Sequence, residues 1–194
     1  MKQPTRDCTA LKQGLGREAM RKSAAGTIDR VLAILLAIIP MGMGFLAFLN
    51  NLSDWSRSVN EVVTPLITME AVRTAPQFHW RAIAPALAPV CYVFVTTFEL
   101  TVGIVAAVGV GSMVRKFSAP LAEFAASSHI AQRACTLGAF TWLIFFFVIG
   151  GDWFLAWKNK NLLFMQSDSL MYAAAATVVL FALRATESRL LERA

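Results

Sequence analysis

Charge is scarce in this chain. Only 15% of its 194 residues are Asp, Glu, Lys or Arg, while 57% are hydrophobic, and a water-soluble domain of this size cannot cover its surface with so few polar groups. Lipid is therefore the solvent for most of it. Histidine is nearly absent: His79 and His129 both lie in connecting segments, so this chain alone offers no pair of axial haem ligands within a membrane. Cysteine is equally thin, with Cys8, Cys91 and Cys135 far apart and in no CxxC or Cys/His pattern. That excludes a recognisable metal site and leaves the three to be read as reduced. Also missing are a Ser/His/Asp or Cys/His set and a phosphate-binding loop. The chain is accordingly expected to be neither an enzyme nor the holder of a metal or cofactor.

What the sequence has in quantity is long apolar runs. The first is Val31 to Leu49, "VLAILLAIIPMGMGFLAFL", and the second lies in the 33 residues between Arg81 and Arg115, where Glu99 is the only acidic or basic group. A third runs from about Cys135 to Gly151 and a fourth from Ser169 to Arg184. Each approaches the ~20 residues that a helix needs to cross a bilayer. The fourth is short, and is expected to extend toward Leu191 with Arg184 and Arg189 snorkelling. The reading is an all-α membrane protein, a four-helix transmembrane bundle over residues 28–191 with spans at about 31–49, 88–113, 135–152 and 169–187. A basic tail, residues 1–27, precedes it, expected as irregular, lipid-attracted chain. The first run reads as an anchor rather than a cleaved export signal, because a polar stretch precedes it and no small-x-small site follows.

The net charge of +6 is no sign of nucleic acid, since the basic residues flank apolar segments and anionic lipid headgroups account for them. Their distribution does carry orientation. The tail, the 115–133 loop and the C-terminal end hold 13 Lys and Arg, against 5 in the other two loops, which puts both termini in the cytoplasm. Trp55, Trp80, Trp153 and Trp157 flank spans on the opposite, outer side, as interfacial tryptophans do. In the first outer loop Val59, Val62, Val63, Leu66 and Ile67 follow helical amphipathic spacing, interrupted by Pro65. Two readings fit: a short or bent helix resting on the outer leaflet, or an irregular loop folded over the bundle.

In lipid, helices associate through small residues that let backbones approach. On the second span Gly103, Ala107 and Gly111 recur every four residues, with Glu99 one step earlier on the same stripe; on the first, Ala33, Ala37, Pro40, Gly44 and Ala47 offer a comparable seam. Phe145, Phe146 and Phe147 of the third span are expected to lie partly toward lipid. An intramembrane carboxylate costs about 2.5–3.5 kcal/mol on insertion scales, so Glu99 needs a partner or a proton, and no Lys or Arg of any span can reach it. It is expected to be protonated and to donate to Thr96, Thr141 or a carbonyl freed by Pro40. A proton- or cation-exchanging site and a contact with another subunit remain open for the same residue.

A second polar cluster is expected at the outer surface. Asn50, Asn51 and Asp54 close the first span, Trp80 and Arg81 open the second, and Asp152, Trp153 and Trp157 close the third. An ion pair from Arg81 to Asp152 or Asp54 would tie these ends together. A solvated belt at headgroup depth is the plainer alternative.

The ordered series "NNLSD", "WRAI", a mid-helix "FE" and "IGGDWFLAW" resembles a bacterial family described as predicted small integral membrane proteins, a domain of unknown function, over about residues 30–183. The resemblance implies four spans and no activity. The family pattern favours Glu where Asp152 stands, Met-Asp-Thr where Met69, Glu70 and Ala71 stand, and Gln-Ser where Lys158 and Asn159 stand.

Three functions are compatible with these features. The first is a non-catalytic accessory or structural subunit, or assembly factor, of a larger bacterial inner-membrane complex, respiratory complexes included, with the bilayer and other subunits or further copies of itself as partners. The second is a small proton- or cation-linked transporter or channel using Glu99. The third is an enzyme acting on lipid at the outer surface, resting on Asp54, Arg81 and Asp152 alone.

Overall fold

The structure is a computed structural model that describes the backbone from Thr5 and the side chains from Ala24 onward. The side chains of the basic tail before Ala24, Cys8 among them, lie outside the described residues. From Thr5 the backbone of that tail is the start of α1 (Thr5–Ser53), a single helix through which Pro40 is carried. A short helical segment follows: one turn at Trp55–Arg57, then α2 (Ser58–Val63), wound in wider π-helical turns, running into α3 (Thr64–Ile67). The further α-helices are α4 (Ala88–Arg115), α5 (Leu121–Ser127), α6 (His129–Thr141) and α7 (Leu163–Glu192), with short 3-10 turns in the connections. Beyond Thr141, α6 continues without a break as wider π-helical turns over Trp142–Trp153. No strand occurs among the described residues, as expected where hydrocarbon leaves a backbone only its own hydrogen bonds.

Four helical stretches are long and apolar enough to cross a bilayer: Ala24–Ser53, Pro85–Arg115, Leu121–Trp153 and Leu163–Glu192. They form a ring in which α1 packs on α4, α4 on α6, α6 on α7, and α7 back on α1. The connecting stretch 115–133 is mostly helix, its non-helical parts being the turn between Arg115 and Leu121 and a single turn residue, Ser128, between α5 and α6. The fourth span also starts earlier than its apolar run, because Leu163, Phe164 and Met165 already supply helical apolar turns ahead of Ser167 and Asp168.

The buried faces follow the periodicity of helices in close contact. In α7, Met165, Ser169, Ala173, Ala176, Val179, Leu183, Thr186 and Leu190 are buried, steps of three and four that keep one stripe facing a neighbour. The seam of α1 is Ala33, Ala37, Pro40 and Gly44, all buried, with Ala47 partly so. On its packed faces α4 buries Glu99, Gly103, Ala106 and Gly109. A Cβ on Gly44 would collide with the backbone nitrogen of Gly103, and one on Gly109 would stand 2.7 Å from the nitrogen of Ala131. These two crossings hold the second span against the first and the third.

This corrects the small-residue stripe. Ala107 is only partly buried, and a Cβ at Gly111 would meet nothing closer than the Arg115 guanidinium at 3.7 Å. Four-residue steps overshoot a 3.6-residue turn by about 40° each. By the third step from Glu99 the position has turned off the packing face, which passes instead to Ala106 and Gly109.

At the end of the bundle where Asp29 meets the last turn of α7, charged side chains stitch the helices together. Asp29, 7% exposed, pairs with Arg193 and with Arg189, the latter at 3.4 Å. Arg30 donates to the carbonyls of Phe117 and Ala119 in the turn after α4. Glu187 accepts from Gln132 at 2.6 Å and lies 2.7 Å from His129 Nε2.

The opposite end, called here the loop end, is covered by α2 and α3. Val59 and Ile67 are buried with Ala88, Tyr92, Phe154 and Leu155 in one cluster, so this amphipathic segment is helical and lies folded onto the bundle. The two readings of the loop each held a part of this: the element is a helix, but its apolar face meets protein. Met69 and Leu155, both buried in that cluster, adopt left-handed backbone angles (φ 59° and 56°), an uncommon conformation for residues with large side chains that tight packing sustains.

Candidate functional site

Glu99 is 2% exposed at the α1–α4 interface. Its partner is Asn51, whose Nδ2 donates to Glu99 Oε2 at 2.5 Å. Asn51 stands seven residues beyond Gly44, two helical turns further along the same face. It reaches the carboxylate because the Gly44–Gly103 crossing brings the two backbones together. The backbone carbonyl of Asn51 in turn accepts from Tyr92 Oη at 2.9 Å, and Trp55 packs edge-on against the Tyr92 ring at 5.0 Å. Three residues from two helices thus form one polar chain, buried at Glu99 and Tyr92 and partly so at Asn51.

The expected partners of Glu99 are occupied elsewhere. Thr96 Oγ1 donates to the carbonyls of Tyr92 and Val93 at 3.0 and 3.1 Å, and Thr141 Oγ1 to that of Leu137 at 2.8 Å. Threonines within helices commonly bond back to the preceding turn. Glu99 accepts from an amide rather than donating to a hydroxyl or to a carbonyl freed by Pro40, and Asn51 belongs to this interior chain although the sequence groups it with the surface cluster.

At the loop end the residues grouped in the surface cluster separate into two sets. Asp54, with Asn50 exposed nearby in sequence, lies 3.9 Å from Arg57. Arg81 forms no ion pair with Asp54 or Asp152 among the described residues. Its Nη1 donates to the backbone carbonyls of Asp152 and Trp153 at 3.4 and 3.2 Å. The guanidinium lies over Trp80, Trp153 and Phe78 at 5.2, 5.4 and 5.4 Å from the ring centroids. Carbonyls at the end of a π-helical segment need donors, and a planar guanidinium serves them while stacking on rings, whereas the Asp152 carboxylate stays in solvent. Trp80 and Trp153 meet edge to face at 5.4 Å, and Lys158 covers Trp157 at 5.2 Å.

Between the second and third spans, under α2, lies a cavity of about 1130 Å³. Its walls are apolar side chains of α4, of the π-helical stretch and of the start of α7, while Asn51, Asp54, Arg57, Ser58, Glu61 and Asn161 line it as polar groups. Asn51 therefore touches Glu99 on one side and the cavity on the other. The cavity, the Arg57–Glu61 pair at 3.1 Å and the role of Tyr92 went unnoticed in the sequence. The i,i+4 spacing of Arg57 and Glu61 is a signal for that pair, whereas the cavity has none along the chain.

A family profile described as Predicted small integral membrane protein (DUF2165) matches residues 29–185. No curated protein and no solved structure matches the chain.

Proposed function

Because the chain belongs to the family of predicted small integral membrane proteins, its four apolar helices are membrane crossings, and we propose that it is a non-catalytic accessory or structural subunit, or an assembly factor, of a larger complex in the bacterial inner membrane. The observation that carries this reading is the use made of buried polar groups. Asn51–Glu99 joins α1 to α4, Gln132–Glu187 joins α6 to α7, and Asp29 with Arg189 and Arg193 joins α1 to α7. Each is a helix-to-helix brace, the use expected of a scaffold whose outer faces remain for partners. Other membrane-protein subunits, or copies of the same chain, are the partners proposed, with both termini cytoplasmic as the excess of basic residues at that end supports.

Purification from native membranes in a mild detergent, followed by native gel analysis and mass spectrometry, tests the proposal. Stoichiometric co-migrating membrane proteins or a defined oligomer of the chain are expected, and a monodisperse monomer would overturn the proposal. Reporter fusions at each terminus test the orientation, with cytoplasmic activity expected for both.

One observation favours a second reading, transport linked to protons or cations. Asn51 places the Glu99 carboxyl one side chain away from the cavity. Ion flux in proteoliposomes that is lost in Glu99→Gln would establish it, and equal flux in both would remove Glu99 from any such path.

A further inference from the structure

We propose that the cavity under α2 is a binding site for one zwitterionic phospholipid of the surrounding bilayer, an acyl chain lying between the spans and the headgroup at the Asp54–Arg57–Glu61 rim. The inference is independent of the subunit reading. Size comes first: about 1130 Å³ is at or above the ~300–1,000 Å³ of sites that bury a drug-sized ligand. The chemistry of the lining is divided in the manner of an amphiphile. Val90, Phe94 and Phe164 on the walls are 62%, 54% and 53% exposed, so in a membrane the cavity opens sideways into hydrocarbon, and a chain can enter without crossing water. At the loop end the α2–α3 segment closes it over with Val62, Val63 and Leu66, which leaves no continuous channel for a spanning helix of a partner.

The rim selects the headgroup. Arg57 lies between two carboxylates, 3.1 Å from Glu61 and 3.9 Å from Asp54. A neighbouring polar hollow brings Lys158 and Lys160 to the same place, sharing Glu61 and Asn161 with the cavity. Both signs of charge thus stand side by side, complementary to a phosphate and an ammonium in one headgroup. A purely anionic head would answer Arg57, Lys158 and Lys160 but bring no ammonium to Asp54 and Glu61, and an uncharged head would leave all these charges unanswered.

The test uses the full chain, delipidated in detergent and offered equal amounts of phosphatidylethanolamine and phosphatidylglycerol, with bound lipid read by native mass spectrometry. One phosphatidylethanolamine per chain is expected, preferred over phosphatidylglycerol by about tenfold, a difference of about 1.4 kcal/mol. Val95→Trp, which fills the cavity, should lower retention about tenfold at unchanged helix content, whereas Leu35→Trp on the exposed face of α1 should not. Arg57→Gln combined with Glu61→Gln, both at solvent-exposed positions, should retain a lipid and lose the preference. Should Val95→Trp fail to fold, the rim variant decides. Binding without fixed stoichiometry, equal retention of the two lipids by the unaltered chain, or an unchanged preference in the rim variant would overturn the proposal.

Discussion

Asn51 Nδ2 and Glu99 Oε2 meet at 2.5 Å across the interface of the first two spans, so the acid in the middle of the second span is answered by an amide at the far end of the first. The pairing resolves the difficulty of a carboxyl in hydrocarbon without a cation, since an amide donor suffices for one of its oxygens. It also makes the two helices interdependent in register, because a slip of either by one residue would leave both groups unpaired.

Removing one member should expose that dependence. Glu99→Ala and Asn51→Ala are each expected to lower stability by about 1–3 kcal/mol, the cost of leaving a buried polar group unmatched. Glu99→Gln, which keeps a carbonyl acceptor, should cost much less. In a double-mutant cycle the coupling should fall near 0.6–1.7 kcal/mol, as for other interhelical hydrogen bonds in membranes. Equilibrium unfolding in detergent measures it, and strictly additive losses would show that the two groups do not interact.

Glycines on the first two spans should differ sharply in tolerance. At Gly44 an added methyl has no room against the Gly103 backbone, whereas at Gly42 it would meet nothing within 4 Å. Gly44→Ala is expected to destabilise by about 1–3 kcal/mol through forced separation of the helices. Gly42→Ala should be neutral, or stabilising by up to about 1 kcal/mol through helix propensity. Gly109→Ala should resemble Gly44→Ala, and Gly111→Ala should resemble Gly42→Ala. Thermal unfolding of the four variants in one detergent distinguishes them, and a loss at Gly111 equal to that at Gly109 would restore the four-residue stripe.

Those same residues show how far the sequence could be read. Four crossings were legible because three apolar runs approach spanning length and the fourth, though short, can be extended through snorkelling arginines, and these properties are local. So was the seam of α1, where Ala33, Ala37, Pro40 and Gly44 already have the three-and-four spacing of a packed face. On α4 the regular recurrence of Gly103, Ala107 and Gly111 is more conspicuous than the true face through Ala106 and Gly109, and only helical drift separates them. The position of Asn51 is hidden for a different reason. Its depth depends on α1 staying helical past the end of its apolar run, through to Ser53, and its contact with Glu99 depends on how two helices cross. Neither the cavity nor the Asp29–Arg189–Arg193 brace has a linear signature, because each unites segments separated by many tens of residues.

That brace should govern the carboxyl-terminal helix. Asp29 is the shared acceptor of Arg189 and Arg193, and Asp29→Asn keeps the shape while removing the charge that two guanidiniums need. The expected loss is about 1–3 kcal/mol, smaller than for a fully buried pair because the arginines keep water contact. Backbone amide exchange over 183–192 should rise in the variant while that of α4 stays unchanged. Equal exchange in both proteins would mean that α7 is held by its apolar stripe and the Gln132–Glu187 contact without help from Asp29.

The last test concerns Arg81, which the sequence suggested as an ion-pair partner and the structure sets among aromatic rings. If its role were charge, Arg81→Lys would be silent. The guanidinium, however, donates to two carbonyls closing the third span and lies within 5.5 Å of the Trp80, Trp153 and Phe78 ring centroids. A lysine cannot present a flat face to several rings while bridging carbonyls. Each cation–π contact at an exposed site is worth about 0.5–1 kcal/mol, so a loss of about 1–2 kcal/mol is expected. Tryptophan emission should also shift to the red as Trp80 and Trp153 part and gain water. Unchanged stability and emission would reduce this cluster to a solvated belt, with Arg81 no more than one of its charges.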